Sequence, residues 1–548
     1  MLGQTGLICQ AAAYLAQKSP SMKKFILFCS FGLLAAALPA APAENLIARI
    51  HFVGAAQIAA DPNSTAFTNL WPTPEARALT TQTLDKLARV PYAHFQAKLA
   101  PGTDDEASRL RPLYDDLLKS EWFLEVRETM VGAGEFAFAI RLDADRASFW
   151  QDNLATVLET WTRLPAKKIA GGWLLKKHLP PDSVRCTRVG DWVVFACEHG
   201  KFNMGDELIQ QISANRRPVP LAKDYWLSVE ADWPRLAKWF PALKTLELPV
   251  TRMQVIGRDG DLHVTGKFTF PTALNLPLEK WQIPTNIIRG NFVSFTAVRG
   301  LAPWLKKQEW AQPWALAPMP NQFFIWALPQ VPFQTFAATP VPNAAAALEQ
   351  VDQRWQAHQS GENAFIMPLT MVKTNNEISW QGMPFIMPSV KALHGRDGDF
   401  LFASIFPNTP PKPLPPELFT RLAPANLVYY HWEITAERLP ELRNVSQLIL
   451  VLTRHRQLEG DSAASKWLDR ISPKLGNNVT EITQTAPDEL SFKRKAPAGL
   501  TAFELLALAN WLEAPGFPAC DLKLPPPRIR PGQKQMKLLS VPATPAPH

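Results

Sequence analysis

The chain contains 548 residues, of which 47% are hydrophobic and 19% are charged. This composition is typical of folded globular domains and excludes a wholly disordered protein. The formal net charge of +8 is small for this length, and it excludes the dense basic surface with which proteins bind nucleic acids.

The N-terminus predicts export. Met22-Lys23-Lys24 forms a basic start, residues 25–38 are apolar, and Ala41-Pro42-Ala43 has the small-x-small pattern of a signal-peptidase site. We interpret residues 1–43 as a signal peptide, with Met22 as an alternative start, and expect the mature protein in the periplasm or at the cell surface. Because no later segment reaches the roughly 18 apolar residues of a membrane helix, we expect no transmembrane helix in the mature chain.

The first half of the chain alternates strand patterns with helix patterns. Residues 46–53 predict a strand, and leucines at near-helical spacing predict helices over residues 75–90 and 105–119. Asp143 is a suitable N-cap for a helix over residues 146–161, because its carboxylate can accept hydrogen bonds from the first turn. Further predicted elements are strands over residues 122–127, 135–142, 172–177, 183–189, 192–197 and 226–230, a helix over 233–240, and a hairpin over 253–270 that turns on Asp259-Gly260.

The second half repeats these landmarks in the same order. The matching segments are 135–161 with 322–355, 189–195 with 395–402, 225–236 with 427–439, and 253–270 with 479–495. A repeated unit of about 200 residues predicts two similar modules with a seam between them.

The predicted organisation is α+β, with two similar modules that each contain an antiparallel sheet covered on one face by helices. The first module spans residues 44–275 and carries extra helices. Residues 276–287 form a linker. The second module spans residues 288–515 and ends in an apolar helix over 500–512, which we expect to lie between the modules; a membrane-surface helix is the alternative. Residues 516–548 predict a Pro-rich, basic, disordered tail.

Sequence motifs for metal and cofactor binding are weak. Asp-x-Asp pairs occur at residues 143/145, 259/261 and 397/399, but their context favours turns and caps over calcium binding. We therefore predict no metal and no cofactor. Cys186 and Cys197 flank a predicted hairpin turn, and both a cross-strand disulfide and two free thiols are compatible with that spacing.

Two sets of side chains are candidates for a functional site. Tyr429, His431 and Glu433 alternate along one predicted strand and would share one of its faces, where they could form an acid/base site. The 19 tryptophans are mostly interpreted as core, but some could line a ligand cleft. The candidate cleft residues are Trp304, Trp326, Trp380 and Trp432.

The signal, the repeated landmarks and the phrases Phe295-Thr-Ala-Val-Arg-Gly-Leu-Ala-Pro303 and Ala498-Gly-Leu-Thr-Ala-Phe-Glu504 together resemble large, uncharacterised exported bacterial proteins of unknown function built of two α+β repeats. This resemblance implies no catalytic residue. Our leading hypothesis is an exported, non-catalytic envelope protein that binds an apolar or amphipathic ligand, or a protein partner, at the inter-module seam. The alternatives are a hydrolase acting on an envelope polymer, with His431 and Glu433 as acid and base, and a purely structural scaffold.

Overall fold

The computed structural model describes most of the chain. The predicted signal peptide lies outside the described residues, as does all of the predicted tail except residues 517 and 518. The described ranges are 45–95, 105–129, 134–176, 182–199, 204–218, 225–239, 248–285, 287–288, 292–308, 311–329, 334–359, 370–382, 387–395, 398–405, 420–452, 461–514 and 517–518.

The chain has an α+β fold. Within the described ranges, twenty strands form one antiparallel sheet, and helices accompany it. The strands of the first half are β1 (Leu46–Phe52), β2 (Trp122–Glu128), β3 (Gly134–Arg141), β4 (Lys167–Ile169), β5 (Gly172–Lys176), β6 (Asp182–Val189), β7 (Trp192–His199), β8 (Leu227–Asp232), β9 (Val250–Arg258) and β10 (Asp261–Thr269). Those of the second half are β11 (Ser294–Arg299), β12 (Gln322–Leu328), β13 (Gln334–Val341), β14 (Thr370–Lys373), β15 (Glu377–Gln381), β16 (Ser389–Gly395), β17 (Gly398–Ser404), β18 (Leu427–Ile434), β19 (Asn477–Ala486) and β20 (Glu489–Ala496).

Most helices lie between strands in the chain. The helices are α1 (Ala55–Ala60), α2 (Thr65–Leu70), α3 (Pro74–Phe95), α4 (Asp105–Lys119), α5 (Ala144–Thr162), α6 (Met204–Asn215), α7 (Trp233–Trp239), α8 (Ala302–Leu305), α9 (Ala344–Gln359), α10 (Thr435–Leu452), α11 (Ala463–Ile471) and α12 (Ala502–Glu513). No helix of the described ranges combines the length and the apolar character needed to cross a membrane.

Local sequence signals explain several element ends. The predicted N-cap Asp143 accepts a hydrogen bond from the Arg146 amide at the start of α5, which satisfies one of the free donors of the first turn. Between β9 and β10, Asp259 and Gly260 have φ angles of 51° and 75°. Two successive positive φ angles are typical of the tight hairpin turn that Asp-Gly favours.

The strands follow the same spatial order in each half. In the first half the order is β4-β5-β6-β7-β3-β2-β1-β8-β9-β10. In the second half it is β14-β15-β16-β17-β13-β12-β11-β18-β19-β20. Each strand pairs antiparallel with its neighbour.

The two halves join through their innermost strands. β10 and β20 pair antiparallel from Leu262↔Ala496 to Thr269↔Glu489. Phe268 and Phe492 meet edge to face across this junction, with ring centroids 6.3 Å apart. The prediction of a separate sheet in each module is therefore wrong, because backbone hydrogen bonds continue from one half into the other.

Helices from both halves cover the junction. Leu79 of α3 packs in one buried cluster with Trp467 of α11 and Leu505 of α12. The end of α12 is also held by α3, because Gln82 donates to the Glu513 carboxylate at 2.9 Å. The C-terminal helix thus packs between elements of both halves, while Phe503 and Trp511 on its outer side remain 41% and 39% exposed.

Helices cover both faces of the first half. Along β3, Phe138 and Ile140 pack in the cluster that contains Trp150 of α5, whereas Ala137 and Ala139 pack with α6. Successive side chains of a strand point to opposite faces, so α5 and α6 lie on opposite sides of the sheet. This corrects the prediction that helices cover one face only.

The segment predicted as a linker, residues 276–287, is held against the second half at its described residues, 276–285 and 287. Arg299 of β11 is 2% exposed and donates to the carbonyl oxygens of Glu279 at 2.5 Å and Leu427 at 2.7 Å. Its guanidinium also lies 4.5 Å from the ring centroid of Trp281. A buried guanidinium that donates to several carbonyls holds both segments against the sheet, since losing it would leave buried acceptors without donors.

The two described cysteines do not form a disulfide. Cys186 on β6 lies opposite Phe195, and Cys197 on β7 lies opposite Val184, so the thiols are diagonal neighbours. Burial raises the pKa of the Cys186 thiol to about 12, and a buried thiol of this kind is unreactive.

Candidate functional site

The three candidate acid/base residues lie on one face of β18. The His431 imidazole Nδ1 lies 2.8 Å from the Thr296 hydroxyl on the neighbouring strand β11. The ring of Tyr429 stacks on that of His431, with centroids 6.3 Å apart. His431 Nε2 lies 3.3 Å from Glu433 Oε2, but the two atoms are not aligned as a hydrogen bond.

Glu433 is a buried helix cap. The residue is 2% exposed, and its Oε1 accepts hydrogen bonds from the Ala502 amide at 2.7 Å and the Thr435 hydroxyl at 2.9 Å. Burial alone would raise the pKa of Glu433, but His431 and these two donors outweigh it and hold the pKa below its ordinary value. The carboxylate therefore satisfies the first turn of α12, where free amides and the helix dipole favour negative charge.

A second carboxylate secures the same helix end. Thr501 and Glu504 form a capping box, in which each side chain accepts from the other residue's amide. Glu504 also forms a buried ion pair with Arg494 of β20, at 2.7 Å. Asn478 of β19 donates to the Leu500 carbonyl at 3.0 Å. The polar side chains beneath α12 thus bind the helix to the sheet.

This arrangement leaves little freedom for acid/base chemistry. A catalytic carboxylate must come within hydrogen-bonding distance of a substrate proton. The side chain of Glu433 is 3% exposed and that of His431 is 12% exposed. Because Oε1 of Glu433 already accepts from α12, the geometry favours a role in holding the helix.

The four candidate tryptophans do not surround one space. Trp326 is 1% exposed and shares a core cluster with Trp432 in the second half. Trp380 packs against α9, with its ring centroid 5.2 Å from that of Trp355. Trp304 lies in the short helix α8. They are therefore spread over three parts of the second half.

The described members of the Asp-x-Asp pairs lie at caps and turns. Asp143 caps α5, and Asp259 lies in the turn between β9 and β10. Asp399 accepts a hydrogen bond from the Ala344 amide at the start of α9, at 2.9 Å, and lies 2.8 Å from His394. Among the described residues, no group of three or more His, Cys, Asp or Glu side chains is placed to hold a metal ion.

Sequence reasoning missed a buried acid. Glu135 of β3 is 0% exposed, and neither carboxylate oxygen has a hydrogen-bond partner of normal geometry. Burial raises the pKa of Glu135 to about 7, although the nearby Met204 amide lowers it in part. The sequence predicts Glu135 only as the first residue of the strand over residues 135–142. Helix α6, which packs on Ala137 and Ala139 of the same strand, was not predicted.

A shallow depression lies at one end of the junction between the halves. It is open to solvent, has a volume of about 360 Å³, and is lined by Asn275, Leu276 and residues 484–487. Leu276, Ala486 and Pro487 supply apolar surface, and Asn275, Gln484 and Thr485 supply polar groups. None of the four candidate tryptophans belongs to this lining.

Comparisons with known proteins found no matching protein-family model, no matching curated protein and no matching solved structure.

The capping role of Glu433 makes a testable prediction. Replacing Glu433 by Ala should lower the free energy of unfolding by about 3 kcal/mol, because it removes a cap and leaves buried donors without an acceptor. Urea unfolding measures the change. Since the pKa of Glu433 lies below its ordinary 4.5, its stabilising effect is present above that pH, and the difference from wild type should shrink as the pH falls below it.

The matched control is Glu481→Ala on the neighbouring strand β19, which should change stability by less than about 0.5 kcal/mol. If Glu433→Ala costs no more than this control, the carboxylate does not hold α12.

Proposed function

We propose that this chain is an exported, non-catalytic protein of the bacterial envelope that serves as a structural scaffold. In this proposal it consists of two α+β modules, residues 44–275 and 288–515, whose sheets join edge to edge into one body. The observation that carries the proposal is the continuous pairing of β10 with β20. A shared sheet suits a load-bearing or spacing role better than a role that needs the modules to open.

The geometry of the junction supports two copies of one unit. β10 begins at Asp261 and β20 begins at Glu489, so Thr265 and Lys493 are each the fifth residue of their strand. These two residues pair with each other. Equivalent residues pair in this way when two like strands meet around a local two-fold axis. The identical order of strands in both halves is consistent with the same axis.

The non-catalytic part of the proposal is supported by the environment of Glu433. At the positions of β8 that correspond to Tyr429, His431 and Glu433, the first half has Leu227, Val229 and Ala231. The polar trio therefore occurs where the second half carries the helix α12 that Glu433 caps. A hydrolase would need Glu433 to release this helix before it could act on a substrate.

The export part of the proposal is supported by the N-terminal sequence alone. The basic start at Met22-Lys23-Lys24, the apolar residues 25–38 and the Ala41-Pro42-Ala43 site are together typical of a secretory signal.

A specific observation favours ligand binding at the seam as a second candidate. The depression beside Leu276 and Pro487 offers apolar and polar groups side by side, which suits an amphipathic molecule better than a purely apolar one. It lies where the first half leads into the second, as the seam hypothesis requires.

The scaffold proposal predicts that the junction controls the stability of the whole chain. Thr265→Pro removes a ladder hydrogen bond from an inner strand and should cost at least about 2 kcal/mol. It should also split one urea unfolding transition into two, because the halves lose their coupling. Lys168→Pro, in the exposed edge strand β4, is the control and should cost less. Equal losses in the two variants would contradict the proposal.

The second candidate predicts a bound molecule. Native mass spectrometry of the purified protein should show an amphipathic adduct that is lost in Leu276→Glu, because a charge would disrupt the apolar part of the depression. The adduct should persist in Val372→Glu, which places the same charge on the distant strand β14. Absence of an adduct, or one unaffected by Leu276→Glu, would remove this candidate.

A further inference from the structure

Helix α6 covers one side of the first half of the sheet. Its residues Met204, Leu208 and Ile212 pack in a buried cluster with alanines and valines of β3 and β7. The apolar strip beneath the helix is formed by Ala137, Ala139, Val194 and Ala196. If α6 moved away, this strip would face solvent.

The buried acid Glu135 lies beneath the N-terminal turn of this helix. Its carboxylate is fully buried without an aligned hydrogen-bond donor, although the amide of Met204 lies close enough to influence it. The turn packs tightly here, since a Cβ atom on Gly205 would lie 2.6 Å from Glu198 Oε1. Because both carboxylate oxygens are buried without an aligned donor, a charge on Glu135 is unfavourable while α6 stays in place.

Two described arginines near Glu135, Arg127 and Arg185, are already paired with other acids. Arg127 of β2 contacts Glu125 at 2.5 Å and Glu207 of α6 at 2.8 Å. Glu198 and Glu207 further disfavour a charge on Glu135, whereas Arg127 favours it.

Arg185 of β6 is the second of these arginines. It contacts Glu198 of β7 at 2.6 Å and also pairs with Asp206 of α6. Arg49 of β1 shares Glu125 with Arg127. Among the described side chains around the first turn of α6, three acids (Glu198, Asp206 and Glu207) face two arginines (Arg127 and Arg185). An ionised Glu135 would add to that excess.

We propose that α6 is a pH-sensitive cover, whose release from the sheet becomes more favourable when Glu135 loses its proton. Release exposes the apolar strip of β3 and β7. This inference does not depend on the proposed scaffold function, because it concerns one helix of the first half and not the junction.

The direction of the pH effect follows from the two states of Glu135. The pKa is about 7 with α6 in place, against an ordinary 4.5. The contribution of protonated Glu135 to holding α6 on the sheet is therefore fully present below pH 4.5 and is lost as the pH rises through about 7. Between about pH 6 and pH 8, this difference corresponds to a roughly tenfold rise in the population with α6 released.

Hydrogen–deuterium exchange of the full-length protein tests the proposal. After correction for intrinsic exchange rates, peptides of α6 should lose protection roughly tenfold from about pH 6 to pH 8 in the wild type. Peptides of α9, in the second half, provide an internal reference and should keep the same protection at both pH values. In Glu135→Gln, which keeps the shape but cannot ionise, protection of α6 should be the same at both pH values.

Two controls make the result decisive. Glu441→Gln removes another acid whose pKa burial raises to about 7, but it lies on α10 and should leave the pH dependence of α6 intact. Leu208→Ala should reduce protection of α6 at both pH values, which shows that the assay detects release. Equal protection of wild-type α6 at the two pH values, or an unchanged pH dependence in Glu135→Gln, would overturn the proposal.

Discussion

The backbone hydrogen bonds between β10 and β20 are the constraint on which the rest of the structure depends. They make one sheet of two halves, from Leu262↔Ala496 to Thr269↔Glu489. Because the strands are held in this register, α3 of the first half meets α11 and α12 of the second. The segment around Glu279 then lies against the second half, where Arg299 binds it. A cleft between the halves would require this packing to be absent.

The two halves share their strand order but differ in chemistry at matching positions. In the first half, Arg49 lies opposite Glu230 and the two form part of an ion-pair network. In the second half, the corresponding pair is Phe295 opposite Trp432, in an aromatic core. On the opposite face of these strands, the first half is apolar and the second half is polar, since Val229 of β8 corresponds to His431 of β18. The polar face of the central strands has thus changed sides, and the position of α12 explains why, because its first turn needs acceptors such as Glu433.

Local signals predicted much of the fold, and long-range partners could not be predicted. Helix α4 begins and ends at the predicted residues, because its acidic start and leucine stripe are contained in fifteen residues. Helix α11 was missed although Ala464, Trp467, Leu468 and Ile471 mark a helical face. Alternation along β10 indicates which side chains share a face, but it does not specify β20 as its neighbour. Likewise, the strand pattern around Glu433 gave no sign of Ala502, which lies 69 residues away.

The most direct test of the central claim is a distance measurement across the junction of the two halves. Spin labels on cysteines introduced at Arg141 in β3 and Thr485 in β19, with the native cysteines replaced by serine, report this separation by electron–electron double resonance. The two strands are seven steps apart in the sheet, which corresponds to about 34 Å. A continuous sheet predicts a single narrow distance distribution. A broad or two-peaked distribution would show that the halves move independently, and it would contradict the account.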